Sequence, residues 1–440
     1  MQEPVTVIGG GLAGCEAAWQ LARRGTAVRL YEMKPVRFSP AHSSESMAEL
    51  VCSNSLRSDQ IHNAVGLLHE EMRRLGSLVM WAADLNRVPA GKALAVDRVL
   101  FAQCISEKME QRPEIEVVRQ EVTALPEGLV ILATGPLTSD ALAESIRRLC
   151  GDALYFYDSI APTVYRDSLD MEKIFRASRY EEGEGDYLNI PLTREEYYTF
   201  VEEVVRAEKV PLHRFEAAHY FEGCLPIEVM ARRGPDTLAF GPMKPVGLRD
   251  PRTGVTPYAV VQLRQEDKLG TLYNMVGFQT RMRIGEQKRT LCSLPGMEKA
   301  VFARLGSVHR NTFIQSPLLL NDQLEHRKRP GLFFAGQIAG VEGYVESAAL
   351  GMVAGIHVAY RAVGKTAPAL PPASALGSLL RYLREASPKN FQPMNVNYGL
   401  LPPIEKVGRR TPKRERNLAL SERALEALAS YAEAVCPPAE

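Results

Sequence analysis

The chain has 440 residues, of which 45% are hydrophobic and 24% are charged, and its formal net charge is only +1. These values are typical of a globular protein with room for two or three domains, and the overall charge does not by itself indicate a nucleic-acid partner. No apolar run reaches the roughly 18 residues that a membrane helix needs, and no basic region precedes the first strand, so we expect neither a membrane span nor a secretory signal.

Cysteine usage predicts the compartment. The seven cysteines are scattered along the chain and none is spaced as CxxC. This pattern is typical of proteins in a reducing compartment, for which the cytoplasm is the default, and it argues against a disulfide framework and a CxxC redox pair. We predict no zinc or other metal site.

The chain opens with the pattern of a dinucleotide-binding turn. Val5–Ile8 is a short apolar strand, a GxGxxG run and an alanine-rich helix follow, and a second strand, Ala27–Tyr31, ends at Glu32. In such a turn the pyrophosphate binds to free N–H groups at the helix N-terminus, and the acid accepts the ribose hydroxyls. We therefore predict that Glu32 and the following turn residues bind the cofactor: Gly9, Gly10, Gly11, Leu12, Ala13 and Gly14.

A polar run over residues 49–58 follows, and it contains Cys52. We expect it to form a loop near the cofactor, where hydroxyl groups, amide groups and Arg57 would favour a thiolate. A lone cysteine is more often a small buried residue. Further along, Val130–Leu132 reads as a strand that ends in Ala133-Thr134-Gly135, and we predict that this turn passes the adenine half of the cofactor.

Residues 151–317 have a different texture, with many aromatic residues and short alternating runs. We predict an inserted α+β domain whose antiparallel strands include Leu238–Phe240, Val255–Leu263 and Thr271–Val276. Cys224 lies in a Gly-Cys-Leu-Pro turn, which is a poor place for a core cysteine because glycine and proline mark exposed backbone. It is therefore the second candidate for chemistry.

The parallel sheet is expected to resume near Leu318 and to close by about Gly364 through a second glycine-rich unit. Here Leu332–Ala335 is an apolar strand, a glycine turn follows, and a small-residue helix is predicted from Ser347 onward. Such a late unit brings a helix N-terminus, which carries roughly half a positive charge, to the flavin edge that becomes negative on reduction. The returning segment favours FAD over NAD, and it adds four cofactor-binding candidates: Gly336, Gln337, Gly343 and Tyr344.

A proline-rich linker, Thr366–Ser374, leads to a C-terminal segment with helices expected over Ala375–Ala386 and Ser421–Val435, the second capped by Ser421. Between Leu376 and Arg416 the chain has nine Lys or Arg against three Glu, which makes this segment a candidate phosphate-binding face. A solvated surface is an equally good interpretation of any single cluster. The predicted order is FAD-binding residues 1–150, insertion 151–317, FAD-binding residues 318–365 and basic segment 375–436.

Motifs across nearly the whole chain resemble the folate- and FAD-dependent tRNA uracil-5-methyltransferase family. They occur in the expected order and spacing: GGGLAG, AELVCSNSLRS, FEGCLPIEVMARRG, FGPMKPVGLRDPRTG, LYNMVGFQTRM, HRNTFI, FFAGQIAGVEGYVESAA and FQPMNVNYGLLPPI. The resemblance implies a discontinuous Rossmann-like FAD-binding domain of the glutathione-reductase type. It also implies a reaction in which methylenetetrahydrofolate gives a one-carbon unit to C5 of a T-loop uridine in tRNA.

In this reaction reduced FAD would supply electrons and NAD(P)H would re-reduce the flavin. Mapped by motif, Cys52 and Cys224 are the family's two cysteines, and either could attack C6 of the uracil while the other handles a proton. The implied partners are tRNA, folate and NAD(P)H, without a membrane or a stable protein partner.

Three alternatives stay open. A tRNA wobble-uridine-modifying flavoprotein would share the late AGQIAGVEGYVESAA motif, but it would be longer and would lack FEGCLPIE and FGPMKPVG. An NAD(P)H-linked flavin oxidoreductase that works through thiols would need CxxC and a second Rossmann turn. A non-enzymatic flavin-binding regulator would not need two cysteines in polar loops.

Overall fold

The computed structural model describes residues 3–151, 154–180, 185–211, 225–404 and 411–437. Two groups of residues that the sequence analysis singled out therefore lie outside the described residues: Cys224, and the basic residues Lys406, Arg409 and Arg410.

The strands are, in chain order, β1 (Val5–Ile8), β2 (Val28–Glu32), β3 (Ser55–Ser58), β4 (Arg87–Val88), β5 (Ala93–Val96), β6 (Ile115–Arg119), β7 (Val130–Leu132), β8 (Leu154–Ser159), β9 (Thr163–Tyr165), β10 (Phe175–Arg176), β11 (Tyr187–Leu192), β12 (Ala259–Gln265), β13 (Leu272–Met275), β14 (Phe302–Arg304), β15 (Val308–Phe313) and β16 (Leu332–Phe334). The helices are α1 (Leu12–Ala22), α2 (Ala64–Arg74), α3 (Leu78–Leu85), α4 (Arg98–Gln111), α5 (Asp140–Cys150), α6 (Arg194–Arg206), α7 (Ile227–Arg233), α8 (Thr237–Phe240), α9 (Ile284–Leu291), α10 (Ser316–Leu319), α11 (Tyr344–Ala362), α12 (Ala375–Glu385) and α13 (Lys413–Val435).

Five parallel strands form the central sheet, in the order β16-β7-β1-β2-β6. Every residue of β7 and β16 is buried, as expected for parallel strands that are covered on both faces. Because β1 lies in the middle, the loop that follows it opens at the carboxyl edge of the sheet, which is where open α/β sheets bind their ligands.

The insertion has its own antiparallel sheet, in the order β10-β11-β12-β13-β9-β14, and its own cluster of buried apolar side chains. The apolar core of the parallel sheet is separate, and it includes residues of the opening segment, the late segment and the C-terminal helices. The fold is therefore α/β, with a discontinuous Rossmann-like domain, an inserted α+β domain and a helical C-terminal segment. No helix among the described ranges is both long and apolar enough to cross a membrane.

Leu238–Phe240, predicted as a strand, is part of the short helix α8. A run this short carries little strand preference, and the Pro235-Asp236 pair before it starts a helical turn instead. The N–H of Ala239 donates to the Tyr197 hydroxyl (3.0 Å), which fixes that turn against the core. Strand β12 also begins at Ala259, four residues later than predicted, after Pro257.

The last helix begins at Lys413, directly after Pro412, so the prediction that Ser421 caps it is wrong. Ser421 lies buried within the helix, and its hydroxyl donates to the Ile61 carbonyl (2.6 Å). A hydroxyl inside a helix can bond to a carbonyl of another segment, here that of Ile61, and the sequence pattern does not distinguish this case from a cap. The predicted apolar face is buried at Ala424, Leu428 and Tyr431.

Candidate cofactor and active site

An open cavity lies at the carboxyl edge of the parallel sheet, and the space within it, including open solvent at its mouth, is about 1110 Å³. Eleven predicted cofactor residues line it: Gly9, Gly10, Gly11, Leu12, Ala13, Glu32, Ala133, Thr134, Gly135, Gln337 and Tyr344. Of the other three, Gly14 lies in the first turn of α1, Gly343 directly precedes α11, and Gly336 follows β16. The structure thus brings together segments that are more than 300 residues apart in the sequence.

The glycine turn is built for close backbone approach. Gly9 has φ +104, and a Cβ there would lie 2.6 Å from the Ala133 carbonyl oxygen, while a Cβ on Gly14 would lie 1.7 Å from the Gly9 oxygen. Gly11 differs, because a Cβ there would meet no protein atom within 4 Å. Protein packing therefore does not require a glycine at Gly11, whereas a pyrophosphate lying on the α1 N-terminus would require one.

Glu32 is buried and held by two backbone groups. Its Oε2 accepts the N–H of Gly10 (2.8 Å) and its Oε1 accepts the N–H of Lys34 (2.9 Å). Each carboxylate oxygen can accept a further bond, so the group remains able to accept ribose hydroxyls. The residues at this edge of the sheet therefore fit the adenosine half of FAD.

Two further residues, Lys34 and His42, line the cavity near Glu32, and the sequence pattern did not predict them. The Lys34 ammonium donates to the Ser46 carbonyl (2.5 Å), and burial lowers the pKa of His42, whose ring lies 2.6 Å from the Ser39 hydroxyl. Lys34 lies in the turn that follows β2, and its closeness to Glu32 in the sequence was the one signal that could have found it. No comparable signal marks His42.

The late segment continues the cavity wall. Gly343 has φ +109 and caps α11, so this helix begins at Tyr344, three residues before the predicted start at Ser347. Small residues allow α11 to pack tightly against α1: a Cβ on Gly351 would lie 2.1 Å from the Ala13 oxygen. Both Tyr344 and Ser347 line the cavity, so the first turn of α11 faces the space in which a flavin ring would lie.

The loop of residues 50–54, which carries Cys52, is held at the far end of the cavity. The N–H of Cys52 donates to the Tyr344 hydroxyl (2.6 Å), and so does the N–H of Ser53 (3.2 Å). Burial raises the pKa of Tyr344, which therefore stays a neutral phenol. Cys52 is half-buried and follows Val51, which lines the cavity. The first turn of α11 and the cysteine loop are thus directly connected.

Arg57 is expected from the sequence to favour a thiolate at Cys52, but its guanidinium group is paired with a carboxylate instead. It lies in β3 with φ +69, and its Nη2 donates to the fully buried carboxylate of Glu346 (Oε2, 2.5 Å). Glu346 also accepts the N–H of Val396 (2.8 Å). This ion pair joins the cysteine segment, α11 and the C-terminal segment.

Three other arginines contact the cysteine loop, and sequence analysis did not single them out: Arg98, Arg264 and Arg304. They come from α4, β12 and β14, so two of them belong to the insertion. A hint was available for Arg264, because a charged residue within an apolar strand run is unusual unless it has buried partners.

Cys224 cannot be placed relative to this cavity, because it lies outside the described residues. The residues just after it are ordered by buried contacts. Pro226 precedes α7, and the buried Glu228 accepts the Thr280 hydroxyl and the Arg281 N–H (both 2.9 Å). The proximity of the two cysteines therefore remains a prediction.

The C-terminal segment also reaches the late glycine unit. The N–H of Glu342 donates to the Met394 carbonyl (3.1 Å), so the segment that resembles the family motif FQPMNVNY lies beside the α11 N-terminus. Among the predicted basic residues, Lys413, Arg414 and Arg416 are exposed at the start of α13. Arg384 instead pairs with Asp322 (3.0 Å).

Comparison with known proteins decides the family. Residues 4–366 match the family model described as glucose inhibited division protein A. The methylenetetrahydrofolate–tRNA-(uracil-5-)-methyltransferase TrmFO of Geobacter sulfurreducens is 58% identical over 430 residues, which cover 97% of this chain and 98% of that protein. The chain belongs to the TrmFO family. The TrmFO of Anoxybacillus flavithermus is similar as well, with 55% identity over 97% of this chain and 99% of its own length.

Membership of the TrmFO family confirms the resemblance that the motifs indicated. A solved structure of Aquifex aeolicus GidA superposes with a TM-score of 0.72, covering 98% of this chain and 73% of that one, at 18% identity. At this identity the likeness concerns the fold alone, and it confirms the predicted architecture. The TrmFO relatives, in contrast, match over almost their full length.

Proposed function

We propose that this protein methylates C5 of a uridine in the T-loop of tRNA, with methylenetetrahydrofolate as the carbon donor, FAD as the redox cofactor and NAD(P)H as the source of electrons. One observation carries the proposal: identity of 58% to a TrmFO runs through 97% of the chain. The scattered cysteines are consistent with a reaction in the cytoplasm.

The cavity supports the cofactor assignment. The backbone of the turn from Gly9 to Gly14 would bind the pyrophosphate, and Glu32 would accept the ribose hydroxyls. The Ala133–Gly135 turn would border the adenine half, while Gly336, Gln337 and the α11 N-terminus at Gly343 and Tyr344 would border the ring. FAD, when bound and reduced by NAD(P)H, would supply the two electrons that convert a methylene group into a methyl group. The partial positive charge of α11 would favour negative charge at the ring edge beside it.

The two cysteines would supply the remaining chemistry. An uncharged uracil C5 is a poor nucleophile, and addition of a thiolate at C6 makes it an enolate-like carbon that can attack the methylene unit. The proton on C5 must then be removed and the bond to the folate nitrogen broken, which releases tetrahydrofolate. Reduction of the resulting methylene group and departure of the thiolate from C6 complete the transfer. We assign attack and proton handling to Cys52 and Cys224, with the order of roles left to experiment.

A T-loop uridine has to be turned out of the tRNA to reach this cavity, as base-modifying enzymes require. Phosphate contacts would then hold the tRNA in place, and the exposed cations at the start of α13 are suitable for such contacts. Residues on the edge of the insertion would contribute as well.

The proposal is tested by incubating the protein with NADPH, unmodified tRNA and methylenetetrahydrofolate labelled in its one-carbon unit, followed by nucleoside analysis. Labelled 5-methyluridine at the T-loop is the expected product. A parallel reaction with S-adenosylmethionine and no folate should give none, and methylation there would contradict the proposal. Label in the anticodon loop would instead indicate a wobble-uridine modifier.

A further inference from the structure

Two arginines of the insertion form hydrogen bonds with the loop of residues 50–54, which carries Cys52. Arg304 donates to the carbonyl oxygens of Val51 (2.5 Å) and Cys52 (3.4 Å). Arg264 donates from Nη2 to the Ser53 hydroxyl (2.6 Å) and from Nε to the Asn54 side-chain oxygen (3.0 Å). Four consecutive residues around the cysteine are therefore fixed by two guanidinium groups that lie more than 200 residues away in the sequence.

Arg264 is a buried cation, and Arg304 is a partly buried one. Arg264 is 7% exposed, and burial lowers the pKa of both Arg264 and Arg304. Within the described part of the chain, neither forms an ion pair within 4.0 Å, whereas the neighbouring Arg98 pairs with Glu266. A buried charge is costly unless an opposite charge lies nearby, and neutral oxygens offset this cost only in part. An anion close to the two guanidinium groups would offset more of it.

Two groups that can carry a negative charge lie within electrostatic range of both arginines: Glu266, which has the larger effect but is already paired with Arg98, and the sulfur of Cys52. Cys52 lies within electrostatic range of both Arg264 and Arg304, and a negative charge on it would favour their protonated forms. The other titratable groups that act on the two arginines are the Arg98–Glu266 pair, whose charges oppose each other, Tyr187, and the neutral Tyr344 phenol. Nearby guanidinium groups stabilise a thiolate relative to a thiol.

We propose that Arg264 and Arg304 are positioning residues through which the insertion sets the reactivity of Cys52: they fix the backbone of its loop and stabilise negative charge on its sulfur. This inference rests on the proposed function only in giving Cys52 a chemical role. The reactivity of Cys52, which lies in the FAD-binding domain, would thus depend on two arginines of the insertion.

The test measures alkylation of Cys52 by iodoacetamide in the FAD-bound full-length protein, read by peptide mass spectrometry between about pH 5 and about pH 9. Arg304→Gln and Arg264→Gln remove the charges, and Arg304→Lys and Arg264→Lys keep them. Arg206→Gln is the matched control, because this arginine lies on the insertion with its side chain 71% exposed. Cys292, which is half-buried, reports in every sample on general thiol access.

We expect each Gln variant to slow alkylation of Cys52 about tenfold near neutral pH and to move the pH of half-maximal rate upward, while the Lys variants stay within about threefold of the unmodified protein. Bound flavin and melting temperature report on folding. Should an Arg264 variant not fold, the Arg304 pair carries the test, because Arg304 is only partly buried.

Unchanged rates in the Gln variants would overturn the proposal. So would Lys variants that are as slow as the Gln variants with an unmoved pH profile, since that result would mean that only the shape of the loop matters. No tRNA or folate enters this assay, so its outcome is independent of whether the protein methylates tRNA.

Discussion

The glycine turn and the cysteine loop border the same cavity, yet they are held in opposite ways. The turn is fixed by backbone: Gly9 and Gly14 allow contacts with main-chain atoms, and Glu32 is held by two N–H groups. The loop around Cys52 is fixed by side chains from elsewhere, namely Tyr344 and arginines of the insertion. Variants of the cysteine loop should therefore lose methylation but keep FAD. Variants of the glycine turn should lose FAD while the cysteine loop stays intact.

The largest effect is expected from the cysteines. Cys52→Ala and Cys224→Ala should each lower tRNA methylation about a thousandfold or more, because a covalent or proton-transfer step is lost rather than some binding energy. Both variants should keep their flavin absorbance, since the cofactor is held by backbone. Methylation rates and flavin spectra of the same samples check this.

The roles of the two cysteines can be separated with tRNA that contains 5-fluorouridine, because fluorine at C5 cannot leave as a proton does. A stable adduct should form with the unmodified protein and disappear in only one of the two variants, which identifies the nucleophile. Near-normal methylation by both single variants would mean that neither cysteine takes part.

The next effect concerns the glycine turn. Gly11→Val should lower FAD affinity by roughly a hundredfold and give colourless but folded protein, since its side chain would enter the cavity without meeting protein atoms. Gly285→Val is the matched control, because a Cβ there also meets nothing within 4 Å but lies on a helix of the insertion. Full flavin content in the Gly11 variant would contradict the assignment of the pyrophosphate to this turn.

A smaller effect is expected at the start of α13. Changing Lys413, Arg414 and Arg416 to Glu should weaken tRNA binding about tenfold or more while NADPH oxidation continues, because these exposed cations would lose their phosphate contacts. If about six phosphates are neutralised in total, the log–log salt slope for the unmodified protein is near −5. Unchanged affinity for tRNA would contradict a role for the start of α13 and would indicate that tRNA binds to the insertion instead.

The smallest effect is expected at Asp59, which directly follows β3 and bonds to side chains of neighbouring elements. Asp59 is partly buried, which alone would raise its pKa, but bonds from His69, Arg87 and Arg73 outweigh this and lower the pKa overall. A lowered folded-state pKa stabilises the protein above the unfolded value near 3.9, and this contribution is lost as the pH falls through the folded-state pKa.

Asp59→Asn should therefore reduce the free energy of unfolding by about 1–3 kcal/mol at neutral pH, and by less in acid. Urea unfolding at several pH values measures the difference. A difference that is constant with pH would mean that the charge on Asp59 is not what stabilises this part of the fold.

The two regions also differ in how far the sequence predicts them. Cofactor candidates such as Gly11 and Glu32 could be placed from the sequence, because the turn depends on local backbone geometry and fixed spacing. Arg264 and Arg304 could not, since their contacts with residues 50–54 exist only once β12 and β14 are packed against the parallel sheet. The wrong strand at Leu238–Phe240 and the wrong cap at Ser421 have the same cause: tertiary partners, Tyr197 in one case and Ile61 in the other, decided the local structure.

The most direct test of the site is the identity and amount of the flavin that the purified protein carries. Heating should release FAD, at about one molecule per chain and without a covalent bond, because the glycine turn and Glu32 suit a pyrophosphate and an adenosine ribose. Tightly bound FMN, which lacks both groups, or protein that binds no flavin would contradict the assignment of this cavity.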